Sequence, residues 1–554
     1  MNRFLEKLGK EDTTYLPKID AHFFVAIFVL LLAAIKQLYG FQHQLDITFF
    51  DETEYLHKGV GLASKVYNDW GPSYNLWYFF VSKFTKNNID TFYLNVSILL
   101  TITPILLYIF LVFHRLQRTL ALLLSLSFLM QELLLNNFTY VSHFCLCILL
   151  IGFIFIAITK KNEHKLIIAI SAAYICMYAR QEFLLIVASL LVLYVLQIIY
   201  QKKIQLHFSY LFLLLVIVGL YVIFGPLSMQ AEGMDRSYFA FMQHFVKNYM
   251  FWNRKYYSID ELRALNLFDD SKTMFQCMFA NPFLFGKHIL TNIANYFINV
   301  FFYIESYLLP KPIFHYLGKA KHVLFIGVSG YLVYLFFNQK FIKKTIRLAQ
   351  EHNMVFMIYV VFLSLSFFSI VFIYPNRHYI IMQFFWLILF LGFLLKDKAK
   401  LLNNNFIFYG IILFILFFVP TSNHVSFYTL SNKDAQKQPN LKAIQYLTTY
   451  NNNQPTVLFT TENGFETYLP KNYKALFMNA DDLKPYLVNN DFKLSKFVED
   501  KKIDIFYMNE KLTFYVDYAK VKETELLLHH PDSLGFRKQL LDTSTQAYLL
   551  VKDN

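Results

Sequence analysis

The chain has 554 residues, 56% apolar and only 16% charged, where an ordinary soluble domain carries about 25% charged residues. Its mean hydropathy is +0.38 and its apolar residues run in long blocks, which excludes a single soluble globular domain. The net charge of +13 is not a nucleic-acid signal, because much of the Lys and Arg falls in short clusters between those blocks.

A membrane-spanning helix needs about 20 mostly apolar residues. Runs of that kind fall at 22–40, 91–113, 119–135, 141–159, 165–179, 182–200, 208–225, 323–338, 354–374, 379–395 and 405–420, about 11 helices in all. Several are short enough to need polar or Tyr ends at the interface. The first run, from His22, has no small-residue cleavage site and is expected to stay as a membrane helix. The four cysteines, Cys145, Cys147, Cys176 and Cys277, show no metal spacing and no disulfide framework, which marks them as packing residues.

Basic loops set the orientation. Arg115 and Arg118; Lys160, Lys161 and Lys165; Lys202 and Lys203; Lys340, Lys343, Lys344 and Arg347; and Lys396, Lys398 and Lys400 mark five loops as cytoplasmic, with the N-terminus inside. They agree only if the further apolar stretch at 289–309 does not cross, so it is read as re-entrant or interfacial. Lys311, Lys319 and Lys321 then stand on the outer side against the rule.

This topology predicts an all-α polytopic membrane domain over 1–420, with outer loops at 41–90 and 226–322, followed by an extracytoplasmic α/β domain over 421–554. In the tail, strand-like runs (Thr456–Thr461, Ile503–Met508, Ala547–Val551) alternate with helix-like ones (Leu441–Leu447, Lys493–Glu499). Asn463-Gly464 supplies a turn signal.

The first outer loop carries the most informative residues: Asp46-Ile-Thr-Phe-Phe-Asp51-Glu52-Thr-Glu54-Tyr55-Leu-His57. Carboxylates this close to a bilayer cost free energy unless hydrated or engaged, so they are functional candidates. A solvated loop beginning a surface helix, with Asp51 as a first-turn or capping acid, is the alternative. An amphipathic helix from Asp51 through Ala63 is followed by Asp69-Trp70-Gly71-Pro72-Ser73-Tyr74 and a second, aromatic helix.

In this arrangement the sequence resembles the membrane glycosyltransferases of the C-type (GT-C) fold, particularly bacterial members of the protein O-mannosyltransferase and aminoarabinose-transferase superfamily. The resemblance spans most of the chain as topology but only a few short motifs as residues. Trp70-Gly71-Pro72-Ser73 departs from the Lys-Pro-Pro of the aminoarabinose branch, which leaves carrier and branch open. The resemblance implies an inner-membrane enzyme of the bacterial cell envelope, moving a sugar from a polyprenyl-phosphate carrier to an acceptor hydroxyl on a lipid, glycan or protein. Asp51 is then the catalytic general base and Glu52 orients it or the acceptor.

A lipid-phosphate leaving group calls for positive charge at the breaking bond. Arg180, in Tyr178-Ala179-Arg180-Gln181-Glu182, and Arg377, in Tyr374-Pro375-Asn376-Arg377-His378-Tyr379, both fall at outer turns, where basic residues are under-represented. They are the candidate donor-phosphate ligands; snorkelling, or an Arg180–Glu182 pair that holds a turn, is the other explanation. An Arg-Tyr pair opening a late helix recurs in the superfamily, and His378 interrupts it here.

Tyr55, His57, Trp70, Glu182, Arg236, His244, His378 and Tyr379 are weaker substrate-binding candidates. The 226–290 segment also carries Glu232, Asp235, Gln243 and the run from Trp252 to Tyr257, which suit sugar stacking and an interfacial aromatic belt alike. Asp46, Asp51, Glu52, Glu54 and His57 are a possible hard-cation set, and whether Mg2+ or Mn2+ is used stays open. The competing functions are a lipid-linked glycan transporter or flippase and an O-antigen-type polymerase or ligase. The former predicts ionisable residues buried in mid-span and internal repeats, neither of which the sequence displays.

Overall fold

A computed structural model describes residues 17–131, 139–201, 208–228, 230–231, 234–255, 265–310, 318–338, 343, 353–396, 404–419, 438–450, 454–460, 462–477, 487–488, 491–492, 494–509, 527, 529–541 and 547–553. Every apolar run predicted as a span carries a helix among the described residues, with 132–135 and 420 lying outside them. Among the described residues, six helices are long and apolar enough to cross a membrane: Ala21–His43, Asn88–Phe113, Val141–Ile158, Ala320–Phe337, Asn353–Ile373 and His378–Leu395. The chain is therefore mostly helical, with the character of a membrane protein. The Arg118–Leu129, Phe183–Ile199, Phe208–Phe224 and Asn405–Ile415 helices are apolar but shorter. Lys202, Lys203, Lys311, Lys340, Lys344, Arg347, Lys398 and Lys400, on which much of the expected orientation rests, lie outside the described residues.

The chain forms two compact units. The first holds 1–38, 64–76 and 97–425; the second holds 39–63, 77–96 and 426–554. The sequence division near 420 assigns the 41–90 loop to the membrane domain, whereas most of that loop clusters with the tail.

In the first unit the helices pack through small residues and polar straps. A Cβ built on Gly152 of the Val141–Ile158 helix would lie 2.8 Å from Ala172 Cβ, so only glycine allows this approach to the Asn162–Ala179 helix. Gln37 donates to the Leu129 carbonyl at 3.0 Å and Tyr307 to the Leu124 carbonyl at 2.8 Å. These bonds satisfy donors that lipid would leave unpaired. All four cysteines are buried and none forms a disulfide.

The described part of the long segment after Phe224 holds regular elements. A two-residue hairpin (β1, Gln230–Ala231; β2, Met234–Asp235) leads into the Arg236–Asn253 helix, where Asp235 caps by accepting from Tyr238 N at 3.0 Å. Thr273 and Gln276 form a capping box that starts Met274–Ala280. Asn281 then caps, and Pro282 opens, a single 27-residue helix to Leu308. The 289–309 stretch lies largely within this helix, which runs without a break and is not among the six long apolar ones. Phe241, Phe245, Phe268 and Phe285 gather in an aromatic core between these pieces.

In the second unit, the tail is an α/β domain. Five strands, β3 (Thr456–Thr460), β4 (Tyr473–Phe477), β7 (Ile505–Met508), β8 (Phe536–Leu540) and β9 (Tyr548–Lys552), lie in the order β4-β3-β7-β9-β8; β5 (Leu487–Val488) and β6 (Asp491–Phe492) pair apart from them. β3 runs parallel to both β4 and β7, and β9 is antiparallel to β7 and β8. All four residues of β7 are buried, as expected of a central strand covered on both faces. The core joins Phe459, Phe497, Ile503, Phe506, Phe536 and Leu550, with the Leu494–Lys501 helix against the sheet. β4 and β8 were not legible as strands; the Thr461 end of the first predicted strand lies outside the described residues.

Candidate functional site

The acidic segment lies in the second unit, and its carboxylates have separate fates. Asp46 is buried and accepts three backbone N–H groups, from Ile47 at 2.9 Å, Asn440 at 3.0 Å and Leu441 at 2.9 Å. It thus caps the Pro439–Thr449 helix of the tail from nearly 400 residues away in sequence (separations of 394 and 395). Burial pushes its carboxyl up to about 7, against the pull of the three N–H donors. This structural task sets Asp46 apart from the cation set considered above.

The Asp51–Val60 helix follows, with Phe50 at its N-cap. Asp51 occupies the first helical position and is exposed, where the helix dipole favours a negative charge. Glu52 is fully buried; it accepts the Tyr78 hydroxyl and the Asn95 amide at 3.2 Å. Asn95 also donates to the Tyr78 oxygen at 2.9 Å and accepts from Trp77 Nε1 at 2.7 Å. Glu54 pairs with Lys58 at 3.1 Å. Tyr55 is buried, and exposed His57 approaches Thr467 Oγ1 at 3.3 Å through Nδ1. Among the described residues no three His, Cys, Asp or Glu side chains group as a metal site. Asp46, Glu52 and Glu54 are thus each engaged by different protein groups.

The basic candidates lie in the first unit. Arg180 ends the Asn162–Ala179 helix in extended conformation. Its guanidinium is engaged from three sides: Nε donates to Glu182, Nη1 to Ser142 Oγ at 3.0 Å, and its plane lies 4.2 Å over the Tyr379 ring. This fixes the fork and leaves its cationic character in a half-buried turn. His378 sits beside Tyr379, their rings 4.2 Å apart, within electrostatic reach of Arg180, His244, Lys247 and His143. His244 is buried and stacks on Tyr374 at 5.3 Å with a 10° interplanar angle; Lys247 lies 5.3 Å over that same ring. Burial first, then the charges of Lys247 and His288, hold the His244 imidazole down at about 3, so it is neutral at ordinary pH.

Arg377 begins the Arg377–Leu395 helix, but its side chain lies outside the described residues, as do Glu232, Tyr256 and Tyr257. Arg236 donates to the Asp69 carbonyl and stacks on Trp70 at 4.8 Å. Asn68 and Gln181 meet the same stretch: Asn68 donates to Pro226 O at 2.9 Å and Gln181 to Ser228 O. Arg180, Glu182, His378 and Tyr379 thus come together with His244 and Tyr374 close by, and Trp70 and Arg236 form a neighbouring pair.

The turn that carries Tyr374, Arg377 and His378 is held by one edge of the Pro282–Leu308 helix. His288 Nε2 reaches the Ile373 carbonyl at 3.1 Å, and Asn292 Nδ2 donates to the Val371 and Ile373 carbonyls at 2.8 and 3.2 Å. Asn299 donates to the Pro375 carbonyl at 2.9 Å. Asn248 bonds both His288 and Asn292, at 3.0 and 2.8 Å. These side chains satisfy carbonyls that the end of the Asn353–Ile373 helix leaves open. Sequence reasoning missed them, along with Tyr78, Asn95, Ser142 and Lys247. Polar residues at 288, 292, 296 and 299, three or four apart along one edge of the helix, were the available signal.

Compared with models of known families and with curated proteins, the chain matches none.

Proposed function

We propose that the chain is an integral membrane glycosyltransferase of the C-type fold, transferring a sugar from a polyprenyl-phosphate carrier to an acceptor hydroxyl at the extracytoplasmic face. The observation that carries this reading is the place of Asp51, exposed in the first turn of the Asp51–Val60 helix within the acidic segment. The proposal includes the eleven-span topology, with the N-terminus cytoplasmic and the tail outside.

In the proposed step the acceptor oxygen attacks the anomeric carbon as the bond from that carbon to the phosphate oxygen breaks. The acceptor proton passes to the Asp51 carboxylate, and the electron pair leaves with the carrier as polyprenyl phosphate. Glu52, locked by Tyr78 and Asn95, fixes the helix turn that presents Asp51. Arg180 and Arg377 are the proposed stabilisers of the phosphate charge, with Tyr379 and His378 beside them. No step is routed through a divalent cation.

The test is carrier release from polyprenyl-phosphate sugars by detergent-purified protein. Asp51→Asn is expected to abolish release while leaving folding and insertion intact. Movement of substrate without bond cleavage would instead identify a transporter.

A further inference from the structure

The tail sheet contains a topological switch, because β3 pairs in parallel with β4 on one side and β7 on the other. In open α/β sheets, ligands lodge outside the carboxyl ends of the strands at such a point. Here Asn509, after β7, donates to Glu462, after β3, at 3.1 Å. The chain that continues from β3 meets the protein's own acidic helix. Asn463 O accepts from Phe50 N at 3.1 Å, Phe465 stacks on Phe49 at 4.4 Å, and the Tyr468 hydroxyl is 3.4 Å from Thr53 Oγ1.

Two backbone positions show how close this fit is. Gly464 has φ +104, and a Cβ placed on it would lie 2.6 Å from Thr53 Cγ2. Phe50 has φ 66 and ψ −125, a conformation that glycine adopts freely and a side-chain-bearing residue rarely does. Such strain persists where the surroundings over-determine it.

We infer that the tail domain is a positioning clamp for Asp51, with Gly464 and Phe50 as its positioning residues. The β3 loop grips Phe49, Phe50 and Thr53 and thereby sets the direction of the first turn, where Asp51 stands. This rests on the proposed role of Asp51 for its catalytic consequence, but the clamp itself is measurable without activity.

Gly464→Ala in the full-length protein in detergent is the test, read by hydrogen exchange and by turnover. Amides of the segment 50–54 are expected to exchange about ten-fold faster. The kcat for carrier release falls about ten-fold or more, with KM for the lipid-linked donor within about three-fold of the parent. Adding Thr53→Ser removes Cγ2, keeps the hydroxyl that donates to Thr48 O at 2.9 Å, and restores part of both. Phe50→Gly is the independent variant: it keeps the fold and slows exchange of the same amides, because the strain is relieved. Parental exchange in Gly464→Ala, no relief from Thr53→Ser, or faster exchange in Phe50→Gly would each overturn the clamp. A fully active Asp51→Asn would overturn the general base instead, and the exchange results would still decide the clamp.

Discussion

Glu52 and Tyr78 share a hydrogen bond inside the second unit, and Asn95 donates to both, 3.2 Å from the Glu52 carboxylate and 2.9 Å from the phenol. Glu52 is fully buried, so its carboxylate depends on these donors in place of water. Tyr78→Phe leaves the carboxylate with a bonding vacancy at the same shape. A loss of about 1–3 kcal/mol is expected, read as a lower thermal transition in detergent. An unchanged transition would show that the bond does not hold the acidic helix.

Asp46 and His244 give opposite pH dependences in the two units. The folded-state carboxyl of Asp46 is raised by burial to about 7, so the folded form holds more protons than the unfolded one. Its stabilising contribution is complete below about 4 and is lost as pH rises through about 7. Asp46→Asn is expected to flatten that fall, and Asp46→Ala, which removes the acceptor of all three N–H groups, to destabilise the tail by about 2–3 kcal/mol below about pH 4 and by less as pH rises through about 7. His244, lowered to about 3, does the reverse: its contribution is present above about 6.5 and is lost as pH falls toward about 3. His244→Phe keeps a ring against Tyr374 and should remove that acid sensitivity. Melting curves from about pH 4 to about pH 8 check both signs.

Arg180 depends on the shape of its side chain as well as its charge. Lysine keeps the charge but cannot donate to Glu182 and Ser142 while lying flat on Tyr379. Under the proposed function, Arg180→Lys weakens donor binding about ten-fold, and Arg180→Ala more. Equal donor affinity in parent and Arg180→Ala would remove Arg180 from the donor site.

Asn292 is buried and fastens the end of the Asn353–Ile373 helix through the Val371 and Ile373 carbonyls. Asn292→Ala is expected to cost about 2–3 kcal/mol, and Asn292→Asp more, since a carboxylate would then face two carbonyls. Turnover should fall with stability, because the following turn carries Tyr374, Arg377 and His378. Parental stability in Asn292→Asp would refute this fastening role.

The helices and central tail strands were legible because long apolar runs and buried strands such as Ile505–Met508 announce themselves by composition. β8 was not legible: Phe536-Arg-Lys-Gln-Leu540 has only its first residue buried, as an edge strand permits. The Asp51–Val60 helix start was also readable, but the fate of each acid was not. Asp46 and Asp51 look alike in sequence; what separates them is pairing with Asn440 and Leu441, a long-range contact that no local pattern encodes. Likewise, Arg180 was visible as an unusual cation, while Ser142 and Tyr379 became its partners only through helix packing.

The most direct measurement is single-turnover release of polyprenyl phosphate from a polyprenyl-phosphate sugar, comparing parent and Asp51→Asn at equal occupancy of the donor. The predicted result is a loss of about 1,000-fold or more in the rate of release with donor binding retained, as expected when a general base is removed. Release at the parental rate by Asp51→Asn, or no bond cleavage by the parent with any lipid-linked sugar, would contradict it.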